Sequence, residues 1–354
     1  MEILTIWKTG MKFIVVLVVV LFLYMEWGIY KLYPWLYWPA FHPQSSNGLR
    51  ILIIGDPQLL GYHYTENTVF EKLSRWDCDR YIKQTFLLTL NHFNPDLFIF
   101  LGDNMDEGDV ATDDEFKEYL ERFIRVFEPV DFSKKAILVP GDNDIGGEKE
   151  LPQPQVVERF NSYFRKDSFI QIKFVDFLKV NLLTSTNEHV TAPPILSDRY
   201  RIVVSHIPVM GQYHYFINEV MKIHPNLILS AHEHISAHIT YSNGSGMVMD
   251  EYPWAVGRKL QTLHLNDKQV HEIVVPTCSY RMGTENIGYG ATVLEQDGTL
   301  HYTVLWLPSR FLQLYIYITL VFVLGLMLVL LAIRRLSFRN RLYTPFPMRV
   351  QRMK

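Results

Sequence analysis

Several short segments of the chain place an aspartate or a histidine directly after an apolar run, where a strand would end. Open α/β sheets bind their ligands at the carboxyl ends of strands, so such side chains can converge on one edge. Mixed carboxylate and imidazole ligands suit divalent metal ions. The pattern therefore predicts a dinuclear metal centre. Its candidate ligands are Asp56, Asp103, Asp142, His206, His232 and His234.

The pair His232 and His234 is the most specific of these signals, because alternate residues of an extended chain point the same way. Each of the other segments also has a structural interpretation, since an aspartate after a strand often caps a turn. Asp106, in the segment Gly102-Asp103-Asn104-Met105-Asp106, could orient a histidine or cap a helix. The combination favours a metal site because every signal occurs in the same context.

The elements that must position these residues alternate between strand and helix in the first half of the domain. Apolar strands are predicted at 49–54, 97–101 and 136–139, and helices at 81–93 and 116–127. This alternation predicts a mainly parallel sheet. The second half is predicted to be largely strands, at 174–183, 201–205, 227–230, 269–275 and 291–294. We expect an α/β fold, a two-sheet sandwich with helices outside and the metal centre at its rim.

Two apolar runs lie near the ends of the chain, which the mean hydropathy of +0.03 conceals. Residues 311–333 are long enough to cross a bilayer core of about 30 Å. The first run, 13–25, is shorter and could be a signal peptide. Aromatic residues at 33–38 follow it in place of a small-residue cleavage site. We therefore favour an uncleaved signal anchor.

Basic residues predict the orientation of both spans. Lys8 and Lys12 precede the first span, and a run of arginines follows the second. The positive-inside rule places these residues in the cytosol. The basic tail is interpreted as a topology determinant, and no nucleic-acid partner is expected. The predicted segments are a cytosolic N-terminus at 1–12, a transmembrane signal anchor at 13–32, a luminal domain at 40–309, a transmembrane helix at 311–333 and a basic cytosolic tail at 334–354.

Cys78 and Cys278 both fall in the predicted luminal domain. A disulfide between them is possible there, but two isolated cysteines do not make a disulfide framework, so the pairing stays open. The sequon at Asn243 agrees with a luminal location.

Taken together, the segments resemble the calcineurin-like metallophosphoesterase superfamily. Its pattern is Asp-x-His, Gly-Asp-x-x-Asp/Asn, Gly-Asn-His-Asp/Glu, a lone His and Gly-His-x-His. The resemblance implies one metal on Asp56, Asp103 and His234, and a second on Asp142, His206 and His232 with Asp103 bridging. It implies two divalent cations. We expect manganese. Iron and zinc are alternatives, because carboxylate and imidazole ligands suit all three metals.

Two positions depart from that pattern. Gln58 stands where the first motif has a histidine, and His63 is a possible substitute. Asn143 stands where the superfamily has a histidine that assists the phosphate or protonates the leaving group. Asn143 can donate a hydrogen bond to phosphate but cannot act as a general acid near pH 7. Arg281 could bind phosphate through its guanidinium, or form a surface ion pair.

The two apolar spans and the segments around Asp56, Asp103 and Arg281 resemble a narrower branch, that of the phosphoesterase that remodels GPI anchors and its yeast cell-division-cycle relatives. The resemblance implies hydrolysis of a phosphodiester, ethanolamine phosphate on a GPI-anchor glycan, in the endoplasmic reticulum or Golgi membrane. GPI-anchored proteins or their glycolipid would be the partners. The alternative is a catalytically impaired metal-binding adaptor for such cargo. A nucleotide or protein phosphatase is a third possibility.

Overall fold

The computed structural model describes residues 2–342 except 42–46, 66–67, 148–150, 165–166, 185–191, 195, 197, 213, 243–245, 250–253 and 267–268. The chain divides into two compact units, Met1–Pro308 and Ser309–Lys354. The sequon asparagine Asn243 and the end of the basic tail, from residue 343, lie outside the described residues.

The helices alternate with the strands through the first half of the chain. The first two α-helices are joined by a short π-helical segment, Tyr24–Gly28. A 3-10 turn covers Tyr280–Met282. The α-helices are α1 Glu2–Leu23, α2 Ile29–Tyr37, α3 Val69–Phe93, α4 Asp113–Val126, α5 Asp142–Ile145, α6 Pro154–Tyr163, α7 Val209–Gln212, α8 His214–Met221 and α9 Arg310–Leu342.

The strands form two mixed sheets. They are β1 Leu49–Ile54, β2 Leu97–Phe100, β3 Ala136–Leu138, β4 Phe169–Ile172, β5 Val175–Lys179, β6 Tyr200–Val204, β7 Leu227–Ser230, β8 Ala237–Ser242, β9 Gly246–Met249, β10 Gln261–His264, β11 Gln269–Val274, β12 Gly288–Leu294 and β13 Thr299–Trp306. The six-stranded sheet has the order β10-β13-β12-β1-β2-β3, and the seven-stranded sheet has the order β4-β5-β6-β7-β11-β8-β9.

The two-sheet α/β prediction is confirmed, but the first sheet is not mainly parallel. Strands β1, β2 and β3 are parallel neighbours, as their connections through helices require. On the other side of β1, strands β12, β13 and β10 pair antiparallel. Strands β12 and β13 join by a short turn, which the helix-strand alternation of the first half could not reveal.

Alternate residues of the strands form the core between the sheets. Leu49, Ile51 and Ile53 of β1 point into it, together with Ile202 and Val204 of β6. This period of two is the geometry of a strand whose two faces both pack against apolar partners. Burial of each such side chain contributes about 1.5–3 kcal/mol, so the core rigidly fixes the strand ends that carry the candidate ligands.

Helix α3 begins twelve residues earlier than the sequence analysis predicted, at Val69 rather than at 81. A capping box starts it. The Thr68 side chain accepts a hydrogen bond from the Glu71 amide, and the Glu71 carboxylate accepts one from the Thr68 amide. The same device, with Thr112 and Glu115, starts α4. This spacing was a readable signal for both helix starts.

Two helical stretches, Gly10–Tyr37 and Arg310–Leu336, are long and apolar enough to cross a membrane. The first packs against α3 within its own unit. The Arg80 guanidinium pairs with the Glu26 carboxylate, and the Gln84 amide donates to the Glu26 carbonyl at 2.9 Å. The Trp38 indole donates to the carbonyl of Trp306 on β13 at 2.6 Å. The N-terminal helix is therefore fastened to the sandwich.

Candidate metal centre

All of the predicted metal ligands lie within four residues of the end of a strand. Asp56 follows β1, Asp103 follows β2, and Asp142 begins α5 after β3. His206 follows β6, and the histidine pair follows β7. The first sheet therefore supplies every carboxylate and the second sheet supplies every imidazole.

The structure brings these side chains together in two clusters, each with its ligand atoms within 4.8 Å of one another. Asp142, His206 and His232 form the first, which we call the His206 group. Asp56, Asp103 and His234 form the second, the Asp56 group. The division matches the two ligand sets that the family resemblance implied. Asp103 links them, since its carboxylate lies 3.5 Å from His206 Nε2.

The His206 group is held by close contacts between its own members. His206 Nε2 lies 2.9 Å from Asp142 Oδ1, and His232 Nδ1 lies 3.0 Å from the same oxygen. His206 Nδ1 lies 2.7 Å from the Leu101 carbonyl, to which it can only donate. That bond leaves Nε2 as the atom with a lone pair for a metal, which is the usual arrangement around a ligating histidine.

The Asp56 group is less completely satisfied. Asp56 Oδ1 accepts a bond of 3.3 Å from the His232 amide. Its other carboxylate oxygen is buried and has no hydrogen-bond partner among the described residues. His234 Nε2 lies 3.4 Å from the Gln58 amide nitrogen. A buried carboxylate oxygen without a donor is costly unless a cation or proton neutralises it.

Both departures from the family pattern contact Asp103. The Gln58 and Asn143 side-chain amides each donate to Asp103 Oδ2, at 2.7 and 2.8 Å. The Asn143 backbone amide donates to the other Asp103 oxygen at 3.0 Å. Both amides therefore lie beside the carboxylate that links the two groups.

Burial and mutual charge shift the pKa values of these side chains in opposite directions. Burial raises the pKa of Asp56 to about 8, although nearby His206 opposes it. Burial would lower the pKa of His206, but Asp103, Asp142 and Asp56 outweigh it and raise the pKa to about 10. Burial lowers the pKa of His234 to about 4. Without a cation, the site holds protons that a divalent metal would displace.

Several site residues have left-handed backbone conformations, which residues other than glycine adopt at a cost. The φ angles are 43° at Asp56, 38° at Gln58, 50° at Asp103, 66° at His232 and 55° at His234. Such strain clusters at functional sites, where the surrounding structure imposes it. No sequence motif marked these positions as strained.

Gly102 is required immediately before Asp103. Its φ is +97°, and a Cβ there would lie 2.7 Å from both the Gly141 nitrogen and His206 Nδ1. A larger residue would push apart the loops that carry ligands of both sheets. The glycine of this motif therefore has a steric role that requires no contact with metal.

Two buried carboxylates that the sequence analysis did not select hold the ligand loops in place. Asp144 accepts hydrogen bonds from the backbone amides of Gly141, Asn104 and Met105. It thereby ties the Asp103 loop to the Asp142 loop. Glu272, on β11, accepts from the amides of Val209 and Met210 and from the Ser230 hydroxyl. It thereby joins the segments after His206 and before His232. Only tertiary contacts reveal the role of Glu272, since no motif surrounds it.

A cleft of 470 Å³ opens beside Asp142 and Asn143. Asp106, Glu107 and Asp109 line it, so its wall carries several carboxylates. Burial, reinforced by the charges of Glu107 and Asp103, raises the pKa of Asp106 to about 6. The cleft, which we call the acidic cleft, therefore holds negative charge at neutral pH and favours a cationic group.

Three weaker candidates from the sequence, His63, Asp106 and Arg281, lie outside the two ligand groups. His63 is not a substitute ligand, because its Nδ1 pairs with Glu115 at 2.9 Å outside both groups. Asp106 caps no helix and contacts no histidine among the described residues, and instead lines the acidic cleft. Arg281 is exposed in the 3-10 turn, where its charge lowers the pKa of Asp106 against the raising effect of burial.

Cys78 and Cys278 are both buried and free, so the structure contains no disulfide between them. The Cys78 sulfur lies 3.9 Å from the Ser279 hydroxyl. Burial raises the pKa of Cys78 to about 12 and that of Cys278 further. Neutral, buried thiols pack as small apolar groups.

Comparison with known proteins identifies the family. The model of the calcineurin-like phosphoesterase family matches residues 49–236, which is more than half of the chain and spans all six candidate ligands. The chain belongs to this family. It therefore carries a phosphoesterase domain of the hydrolase class. The family uses divalent metals, and the two ligand groups are possible sites for such ions.

Individual relatives agree with this assignment. The chain is 33% identical over 157 residues to Metallophosphoesterase 1 of Danio rerio, covering 43% of this chain and 39% of that protein. It is 31% identical over 148 residues to the Metallophosphoesterase 1 homolog of Drosophila melanogaster, covering 41% and 38%. Cell division control protein 1 of Saccharomyces cerevisiae is 23% identical over 285 residues, covering 68% and 54%. The chain thus spans about two fifths to one half of the length of these relatives.

Proposed function

We propose that this protein is a membrane-anchored, metal-dependent phosphodiesterase. The observation that carries the proposal is the pair of ligand groups on either side of Asp103. Two divalent cations would occupy them, with Asp103 bridging. We propose manganese, with iron or zinc as alternatives. The residues fit such ions, because the donors are carboxylates and imidazoles and one buried Asp56 oxygen has no donor among the described residues.

Bound cations at this site would lower the pKa of an attacking water and polarise a phosphoryl oxygen. The protein's own groups supply the remaining functions. The Asn143 amide, which lies beside Asp103, can donate to a phosphoryl oxygen but cannot protonate a leaving group. Arg281, whose charge acts on Asp106 of the acidic cleft, is our candidate for a second phosphate contact. The carbonyl of Leu101 and the carboxylates of Asp144 and Glu272 keep the ligands oriented.

For the substrate we propose ethanolamine phosphate on a GPI-anchor glycan. The acidic cleft supports this choice, because ethanolamine phosphate carries an ammonium group close to its phosphorus. Asp106 and Asp109 can attract that group while the phosphate lies over the neighbouring metal centre. The resemblance to GPI-anchor-remodelling phosphoesterases points to the same substrate.

For the location we propose the membrane of the endoplasmic reticulum or Golgi, with the metal centre in the lumen. The two apolar helices, Gly10–Tyr37 and Arg310–Leu336, support membrane anchoring. An enzyme and a glycolipid in the same membrane meet at a high effective concentration. GPI-anchored proteins or their glycolipid would then be the partners during early secretory transport.

One observation favours a second candidate function, that of a catalytically impaired adaptor for GPI-anchored cargo. Gln58 and Asn143 replace family histidines, and both donate to the same oxygen of Asp103. A bridging carboxylate that is satisfied by amides depends less on a cation than one without donors. In this alternative the fold and ligand groups would serve binding only.

The test uses the full chain purified in detergent. We expect close to two manganese ions per chain by elemental analysis. We also expect hydrolysis of a synthetic mannosyl ethanolamine phosphodiester to be faster than that of the matched ethyl phosphodiester, which lacks the ammonium. The variant Asp109→Asn should reduce this preference and leave hydrolysis of the ethyl substrate unchanged. Asp114→Asn, an exposed aspartate on α4, is the matched control.

The possible results separate the two candidates. Two metal ions with hydrolysis of both diesters, but without a preference, would support the phosphodiesterase and contradict the ammonium site. Absence of hydrolysis of either diester with any of manganese, iron or zinc would favour the adaptor.

A further inference from the structure

The first turns of α3 carry an exposed apolar face. Val69 is 84% exposed, Phe70 76%, Leu73 56% and Trp76 58%. Positions 69, 73 and 76 fall on one side of a helix, and Phe70 flanks them. We call these four residues the α3 stripe. Single exposed apolar residues are ordinary, but a contiguous set with two aromatic rings marks a contact surface.

The opposite face of α3 already packs against the sandwich. Tyr81, Ile82 and Phe86 on that side are buried. The buried residues of α3 begin at Asp77, so the core contact starts only after the exposed first turns. The α3 stripe is not needed for folding of the described domain.

The α3 stripe continues into the contact with the N-terminal helix. Arg80 and Gln84 follow Trp76 by one and two turns on the same side of α3, and they are the residues that bind Glu26. Beside them, the Tyr30 and Tyr81 rings meet edge to face at 6.4 Å. The stripe therefore lies in line with the contact between α3 and the second half of the apolar stretch Gly10–Tyr37, which is long enough to span a membrane.

The cleft between the N-terminal helix, α3 and α4 combines tryptophan rings with cations. It measures 640 Å³, and Trp27 of the N-terminal helix and Trp76 of the stripe both line it. Lys83, which pairs with Glu128 at 3.0 Å, and Arg125 line it as well. Among the described residues the Arg125 guanidinium has no ion pair or hydrogen bond, so it is the cation that remains for a lipid phosphate. Tryptophan rings with cations beside them are typical of the headgroup layer, where the rings lie at the interface and the cations meet lipid phosphates.

Building on the membrane anchoring proposed above, we infer that the α3 stripe lies in the interfacial layer of the membrane that the N-terminal helix enters. The partner is a phospholipid surface, with the aromatic and aliphatic side chains among the headgroups and upper acyl chains. The shared position of Trp27 and Trp76 and, among the described residues, the unpaired Arg125 beside them favour lipid over a protein partner.

This contact also bears on the metal centre. Helix α3 follows the β1 loop that carries Asp56, and Tyr64 in that connection lines the acidic cleft. The stripe begins only five residues after Tyr64. A stripe held in the interface would keep the acidic cleft near the headgroup layer, where a membrane-bound glycolipid presents its sugars.

Spin labelling of the full chain in vesicles tests the inference. Phe70→Cys and Leu73→Cys, labelled with a nitroxide, are compared in phosphatidylcholine vesicles that contain phosphatidylserine. Collisions with oxygen report lipid, and collisions with a water-soluble nickel chelate report solvent. We expect the ratio of oxygen to nickel collisions to be several-fold higher at both positions than at two exposed control positions of the domain, Tyr163→Cys and Val256→Cys. Val19→Cys in the N-terminal helix reports whether that helix is in lipid.

The outcomes are distinguishable, and none depends on catalysis. Lipid-like ratios at 19 with water-like ratios at 70 and 73 would overturn the inference and leave membrane anchoring intact. Water-like ratios at all three positions would overturn the anchoring itself. Low collision with both reagents at 70 and 73 would show that protein covers the stripe, and would replace lipid by a second copy or another chain. The native Cys78 and Cys278 are buried, and labelling of the unsubstituted chain measures their background.

Discussion

The His206 group and the Asp56 group use the same kinds of ligand, but the protein satisfies them to different degrees. In the His206 group, Asp142 contacts both imidazoles at 2.9 and 3.0 Å. Those contacts hold the pKa of Asp142 well below its usual range, although burial acts to raise it. In the Asp56 group, one buried Asp56 oxygen has no donor among the described residues, and burial raises the pKa of this carboxyl to about 8.

The difference indicates how each group responds to a missing cation. The His206 group can keep its geometry as a network of ion pairs between Asp142 and protonated imidazoles. The Asp56 group must take up a proton or a cation, because an isolated buried carboxylate is costly. We therefore expect the Asp56 group to change more upon metal binding. The following predictions test this contrast, from the largest expected effect to the smallest.

Removing the carboxylate that links the groups should have the largest effect. Asp103→Asn keeps the shape of the side chain but replaces an anionic oxygen by an amide. Metal centres contribute several kcal/mol of transition-state stabilisation, so we expect phosphodiester hydrolysis to fall by about 10³-fold. Elemental analysis should show fewer than two ions per chain. An Asp114→Asn variant should match the unsubstituted chain, and an Asp103→Asn variant with full activity would exclude a bridging role.

Restoring the family histidine at position 143, next to Asp142, tests the His206 group. Asn143→His introduces a group that can protonate a leaving alcohol, whereas Asn143 cannot. General acid catalysis contributes about 10²–10⁴-fold, and we expect about a 10²-fold increase in kcat toward the poorer leaving groups. The rate should then decline as pH rises through the pKa of the new histidine. Asn143→Ala is the control, and an equal gain in that variant would contradict acid catalysis.

The other departure, Gln58, tests the Asp56 group. Gln58→His replaces a neutral amide beside Asp103 and His234 with a stronger metal ligand. We expect the affinity of the weaker manganese site to rise by about 10-fold, on the scale of changes in a ligand's surroundings. The tighter site should keep its affinity, as measured by manganese titration with electron paramagnetic resonance. Equal changes at both sites would mean that the groups are not independent.

The pH dependence of stability gives the smallest effect. Without metal, the native state keeps protons on Asp56 up to a pKa of about 8 and on His206 up to about 10. The unfolded chain releases these protons at lower pH, so stability should fall as pH rises from 7 to 9. His234, with a pKa of about 4, acts in the opposite direction only below about 6.5.

Thermal unfolding with a chelator should therefore show a melting temperature that is lower at pH 9 than at pH 7, since each proton that only the native state keeps changes the unfolding free energy by about 1.4 kcal/mol per pH unit. Excess manganese should abolish or reverse the slope, because the metal replaces the protons. A chelated protein that becomes more stable between pH 7 and 9 would contradict the pKa assignments. Asp114→Asn, remote from both groups, should leave the slope unchanged.

Much of the strand framework could be predicted because the core strands are continuous apolar runs. The ranges 49–54 and 227–230 agree with β1 and β7 to the residue. Strand β13, Thr299–Trp306, was missed because polar residues interrupt its apolar pattern. The start of α3 was missed because its first turns carry exposed apolar residues, which obscured the period of the buried face.

The sequence by itself determined the family and the identity of the candidate ligands. Each ligand lies within four residues of the end of a strand, so its position at the sheet edge is a local property of the chain. Local patterns also marked Gln58 and Asn143 as departures.

The tertiary structure alone decided how those ligands pair and which groups support them. The grouping depends on two sheets packing face to face, which brings loops more than a hundred residues apart into contact, as between Leu101 and His206. The same packing places both amides on one Asp103 oxygen, leaves Asp56 Oδ2 without a donor among the described residues, and recruits Glu272. These are distances between separate elements, and spacing along the chain contains no information about them.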